Sequence, residues 1–181
     1  MTCIAGLVED KIVYIGGDSA ATNGWGLTIL KEPKVFRNGD FLIGCSGSAR
    51  MITLLRHSLV PPKQEEDEDT MLFMATRFID AVRDCLKNGG LAKRVDEQES
   101  MGDSYFLVGY KGQLFCVYND YHISEALCNY DAIGSGDDAA LGSLYTTRGM
   151  DMAPDKRIEI ALYASERHNA GVRSPFHVES I

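Results

Sequence analysis

The hydrophobic positions change period several times along the chain, and each change marks an element. Residues 2–8 and 12–15 are short apolar runs joined by Glu9-Asp10-Lys11, which predicts a hairpin at the N-terminus. Residues 34–36 and 41–45 read as two more strands, and the Asn-Gly pair in Arg37-Asn38-Gly39-Asp40 between them is a strong hairpin signal. The stretch 22–26 reads as a glycine-bearing loop separating the hairpins. From Ser48 the spacing becomes helical, with Met51, Leu54, Leu55, Ser58 and Leu59 on one face until Pro61-Pro62 stops it. A second helix is predicted over 70–87, burying Leu72, Phe73, Ala75, Thr76, Ile79, Val82 and Leu86 and ending at Asn88-Gly89-Gly90. A third hairpin, 105–110 and 114–118, turns at Lys111-Gly112, and a short strand at 132–133 leads into Gly134-Ser135-Gly136. Helices over about 137–148 and 155–169 and a closing strand at 176–178 complete the series.

Antiparallel hairpins alternating with pairs of helices predict an α+β fold, a four-layer αββα sandwich of two stacked, mainly antiparallel sheets flanked by helices. At 181 residues, with no linker and no internal repeat, the expectation is one domain spanning 1–181. The formal charge of -8 and pI near 5.0 disfavour partners with phosphate backbones or anionic headgroups, so nucleic acid and membrane surfaces are not expected. Residues 63–69 hold five acidic side chains in seven and read as a solvated loop entering the second helix. The five cysteines show neither CxxC nor zinc-finger spacing, and the odd count without a signal peptide points to free thiols in a reducing cytoplasm. The four histidines are too scattered for a metal-ligand pattern.

Thr2 carries the candidate chemistry. Removal of Met1 leaves a threonine whose hydroxyl is a nucleophile and whose α-amine, with an ordinary pKa of about 7.7–8.0, is a base. Alone, a Met-Thr start means little. Thr2 is followed, however, by Gly16-Gly17-Asp18-Ser19, by Lys34 before a strand, by Gly44-Cys45-Ser46-Gly47-Ser48-Ala49, and by Ile133-Gly134-Ser135-Gly136. In these motifs the chain resembles the proteasome β-subunits among the N-terminal-nucleophile (Ntn) hydrolases, and most closely the bacterial proteasome-like, HslV-type threonine protease. The match is strong over residues 2–50, fair over 128–148, and weak between 60 and 127.

The resemblance implies Thr2 as nucleophile, with Lys34 beside it as a cation and Asp18 as the counter-charge of Lys34. It implies Gly47 as an oxyanion donor at a strand-to-helix junction and Ser135 near the terminal amine. At the family's acidic position near the end of the last long helix, the chain offers Glu166 by one alignment and His168 by another. A substrate pocket is expected from Ala21, Glu32, Cys45 and Ala49, in which Glu32 would favour basic or polar side chains. No cofactor and no metal are expected. A homo-oligomeric ring, unfolded polypeptide substrates and an ATP-dependent unfoldase follow from the same likeness. Cys3 reads as a strand residue, since exposing it as an N-terminal nucleophile needs two residues removed. Two other readings stay open: a non-catalytic ring subunit, or an amidohydrolase acting on small amides.

Overall fold

The computed structural model describes residues 1–91, 93–95 and 98–181. Six strands come first: β1 (Ile4–Glu9), β2 (Ile12–Gly17), β3 (Ala20–Asn23), β4 (Gly26–Ile29), β5 (Val35–Asn38) and β6 (Phe41–Ser46). Helix α1 (Ala49–His57) begins at Ser48, whose side chain accepts from the Met51 N–H. Helix α2 (Thr70–Phe73) continues through a π turn at Met74–Phe78 into α3 (Ile79–Asn88). Strands β7 (Lys93–Val95), β8 (Gln98–Ser100), β9 (Tyr105–Tyr110), β10 (Gln113–Val117), β11 (Ile123–Glu125) and β12 (Tyr130–Ile133) follow. Helices α4 (Asp137–Thr147) and α5 (Pro154–His168) and strand β13 (His177–Ser180) close the chain.

Two large antiparallel sheets form, one ordered β12-β1-β2-β13 and the other β11-β10-β9-β6-β5, beside the two-stranded pairs β3-β4 and β7-β8. The period-2 alternation of the strands sorts their side chains into three apolar layers. In β6, Phe41, Ile43 and Cys45 pack under α1 and α3, while Leu42 faces the other sheet. In β1, Ala5 and Leu7 pack under α4 and α5 together with Cys3 just before the strand, while Ile4 faces the other sheet. In β9, Phe106 and Val108 go to the helices and Leu107 goes between the sheets. Helices, sheet, sheet, helices is therefore the layer order, and the expected αββα sandwich is what the chain forms.

The two sheets come into close contact at glycine. A Cβ placed on Gly44 would lie 2.6 Å from Ile4 Cγ2 and 2.7 Å from Ile15 Cγ2, both on the facing sheet. Gly44→Ala must push the sheets apart, and we expect it to cost about 1–3 kcal/mol, read as a lower denaturation midpoint with an unchanged denaturant slope.

Three details differ from the sequence pattern. The second helix buries Phe73, Met74, Phe78, Ile79, Val82 and Leu86, and exposes Leu72, Ala75 and Thr76. The π turn adds a residue to one turn, so the buried pairs 73/74 and 78/79 are spaced by five and the regular 3.6-residue count fails there. The loop expected at 22–26 is the tip of the β3–β4 hairpin, whose β4 is exposed at every position and so shows no apolar alternation. The β7–β8 pair and β11, three residues each, are likewise absent from the hydrophobic pattern.

Candidate active site

Strand alternation aims Thr2 the same way as Ile4, toward the gap between the sheets, and leaves it buried just before β1. The Lys34 ammonium, just before β5, donates to Thr2 Oγ1 at 2.9 Å and to Asp18 Oδ1 at 2.8 Å. Asp18 is fully buried and Lys34 nearly so. The Asp18 carboxylate also accepts the backbone N–H groups of Cys3 (3.1 Å), Ala20 (2.9 Å) and Arg173 (3.3 Å). Four donors thus satisfy a charge that would otherwise be costly to bury. Burial pushes the Lys34 ammonium below the usual lysine range, against the attraction of Asp18.

The nitrogen side of Thr2 faces a different set of residues. Thr2 N donates to Ser135 Oγ at 3.3 Å, and the Thr2 carbonyl accepts from Gly136 N at 3.2 Å and Ser135 Oγ at 3.4 Å. Asn169, which sequence reasoning passed over, donates its Nδ2 to the Ser135 carbonyl at 2.6 Å and fixes that turn. Ser165 donates to the Gly136 carbonyl at 2.7 Å and accepts from Cys3 Sγ at 3.3 Å. The Cys3 thiol is pushed up to about 12 by burial, so it stays neutral. Met1 is bonded to the Thr2 nitrogen, and its carbonyl accepts the Thr2 hydroxyl at 2.6 Å.

Glu166 is not beside Thr2. Its Oε1 accepts the Ser174 N–H at 2.8 Å, holding the segment whose Arg173 N–H reaches Asp18. His168 is exposed at the end of α5. Of the two alignments, Glu166 is the one tied to the site, through a loop and not by contact. Nothing in its sequence neighbourhood announces that route.

Gly47, between β6 and the Ser48 cap of α1, has φ +114°, and a Cβ there would fall 2.6 Å from Ser104 Oγ. Ser104, also missed in the sequence, is buried and accepts the Ser48 N–H at 3.1 Å, bracing this turn. Gly47 and Ser135 both border a cleft of about 630 Å³ at the open end of the inter-sheet layer.

The four expected pocket residues do not line that cleft. Ala21 is half-buried on β3, and Glu32 and Ala49 are exposed. Cys45 is corrected outright: it is fully buried in the layer under α1, because it alternates with Gly44 and faces away from the gap between the sheets. Among the described residues no group of three or more His, Cys, Asp or Glu is placed to hold a metal ion, and no helix is long and apolar enough to cross a membrane.

No family model matches the chain, and no curated protein matches it by sequence. Solved structures do match it. The BPH protein of Thiobacillus denitrificans, in complex with epoxomicin, superposes with a TM-score of 0.80 at 18% identity, covering 99% of this chain and 98% of that one. Eukaryotic HslV from Trypanosoma brucei gives 0.71 at 18% identity, with 99% and 98% covered. Anbu, an ancestral beta-subunit from Yersinia bercovieri, gives 0.68 at 18% identity, with 99% and 81% covered. By fold, over nearly its whole length, the chain stands with these proteasome-like proteins in the Ntn-hydrolase architecture.

Proposed function

We propose that the chain, as one domain spanning 1–181, is a threonine-type endopeptidase subunit of the proteasome β-subunit and HslV kind, acting through Thr2 once Met1 is removed. The observation that carries the reading is the buried line Thr2 Oγ1, Lys34 Nζ, Asp18 Oδ1, with 2.9 and 2.8 Å between neighbours. A lysine held charged beside the hydroxyl lowers the cost of forming its alkoxide. The freed Thr2 amine takes the hydroxyl proton as Oγ1 attacks the substrate carbonyl, and the Gly47 N–H stabilises the oxyanion. Collapse breaks the C–N bond, the amine passes the proton to the departing nitrogen, and an ester on Thr2 remains. Water then adds to the ester, giving its proton to the amine, and the acid leaves as Oγ1 is reprotonated. Ser135 and Asn169 orient the amine, and Glu166 acts as a positioning residue through the 173–174 segment.

In this reading the subunit works in the cytoplasm in a homo-oligomeric ring, on unfolded polypeptides supplied by an ATP-dependent unfoldase, without nucleic acid, membrane or cofactor. The test is the intact mass of the purified protein before and after epoxomicin, the ligand of one structural neighbour. Closure of the ring that an epoxyketone forms needs both a threonine hydroxyl and a free α-amine. Loss of the methionine mass and one adduct per chain is the expected result. A retained methionine and no adduct would instead favour a non-catalytic ring subunit.

The displaced Lys34 titration also has a stability consequence. In the unfolded chain Lys34 returns to about its ordinary 10.5, so between the lower folded value and 10.5 the unfolded state binds more protons. Stability therefore gains from Lys34 as pH rises through that window, and below it the burial cost is constant. Denaturation midpoints measured up to pH ~10.5 should rise for the wild type relative to Lys34→Met.

A further inference from the structure

The cleft beside Thr2 belongs to one half of the substrate, and the residues at its edge identify which. A departing amine must collect its proton from the Thr2 nitrogen, so the leaving half of a cleaved peptide lies on the nitrogen side of Thr2. Ser135, which accepts from that nitrogen, and Met1, which is bonded to it, both line the cleft. Lys34 and Asp18, on the hydroxyl side, do not. The cleft is where the inter-sheet layer ends without being filled: Cys116 shares its strand face with Leu114, and Asp131 shares its face with Ile133, both of which point between the sheets.

Its charge is one-sided. Asp103, Asp131 and Asp137 line it, and no Lys, Arg or His does among the described residues. None of the three carboxylates is in an ion pair among the described residues. Asp131 accepts the Ala132 N–H and Asp137 accepts the Asp138 N–H, each at 2.8 Å through one oxygen, and the other oxygen of each has no hydrogen-bond donor among the described residues. Tyr105 and Tyr118 meet edge to face, with centroids 6.3 Å apart, and form an aromatic wall against which an alkyl stem can lie.

We propose that this cleft is the subsite for the leaving half of the substrate and that Asp103, Asp131 and Asp137 select Lys or Arg side chains there. The proposal rests on the peptidase reading above. It differs from the expected Glu32 preference, which concerned the acyl half. An alkyl stem on the tyrosines with a cationic head among three unpaired carboxylates is the complement of the lining.

The experiment uses the protein with Thr2 at its terminus, verified by mass, and three internally quenched peptides with one shared acyl half. Their leaving halves carry Lys-Arg, Gln-Asn or Glu-Asp next to the scissile bond, and the cut is located by mass spectrometry. The expected order of kcat/KM is cationic, neutral, anionic, with roughly tenfold between the first two at low salt and much less in about 0.5 M salt. Asp131→Asn and, separately, the exposed Asp103→Asn should bring the cationic peptide toward the neutral one. The second variant keeps the test alive should the first fold poorly. Equal rates for the three peptides, or preference for the anionic one, with cleavage abolished by Thr2→Ala, overturns the subsite and leaves the peptidase reading standing. No cleavage together with no epoxomicin adduct overturns both.

Discussion

Replacing Lys34 by Ala is expected to lower Thr2-dependent peptide hydrolysis by about 10³-fold or more, a loss of the size seen when a group acting on the nucleophile's proton is removed. The hydroxyl of Thr2 would keep its place, but the cation 2.9 Å away that favours its ionised form would be gone. The same change should destabilise the fold, because it strands the buried Asp18 carboxylate. Breaking a buried ion pair costs about 3–5 kcal/mol, and the three backbone donors that remain on Asp18 place the expected loss at the low end. The two effects separate in Asp18→Asn/Lys34→Met, which removes both charges. Thermal midpoint should recover partly in the double variant, and kcat/KM should not. Recovery of activity along with stability would show that the pair only holds the end of β2 to the start of β5. Lys34→Arg is expected to retain most of the midpoint and little activity, since a planar guanidinium cannot hold one N–H on Thr2 Oγ1 and another on Asp18 Oδ1 with the lysine's geometry.

How much of this was legible depends on whether the signal was local. The hairpin at Asp10-Lys11 takes positive φ at both residues, and the Lys111-Gly112 turn falls where turn chemistry placed it, because each turn is specified by the two residues that make it; the β5–β6 turn is Gly39-Asp40, one residue past the Asn-Gly pair, with Asn38 still in β5 opposite Phe41. The layer order followed from helix and strand periods alone. Thr2, Asp18, Lys34, Gly47 and Ser135 were readable only as a spaced set, and folding brings Thr2 to both Lys34 and Ser135 through bonds 32 and 133 residues apart. Cys45 was misplaced because a motif position says nothing of which face of β6 it occupies, whereas its alternation with Gly44 does. Ser104, Asn169 and the Glu166–Ser174 bond are tertiary supports made by ordinary polar residues, and no pattern in the chain distinguishes them from surface positions. The acidic cleft is legible only in hindsight, as a carboxylate at an inward position of β12.

Gly47→Ala should produce the largest loss after the Lys34 variants, and it tests whether the turn before α1 is chemistry or scaffolding. At φ +114° an L-residue lies outside its allowed regions, which costs about 1–3 kcal/mol. The added Cβ would also meet Ser104 Oγ at 2.6 Å, with Asp103 O and Ser104 Cα at 2.7 Å. Two of those three atoms are backbone, so trimming Ser104 to Ala relieves only one contact and should not rescue the variant. To escape, the turn must rotate, and the Gly47 N–H would leave the position that the proposed mechanism requires of an oxyanion donor. Loss of one such donor costs about 10²–10³ in kcat. Gly44→Ala is the internal control, because it strains β6 three residues before the turn, between the sheets and away from the cleft. With both variants assayed well below their midpoints, Gly44→Ala should keep most of its kcat and Gly47→Ala should lose about two orders of magnitude or more. Equal modest losses in the two would make Gly47 a turn residue only, and the oxyanion donor would have to be sought among the other groups bordering the cleft.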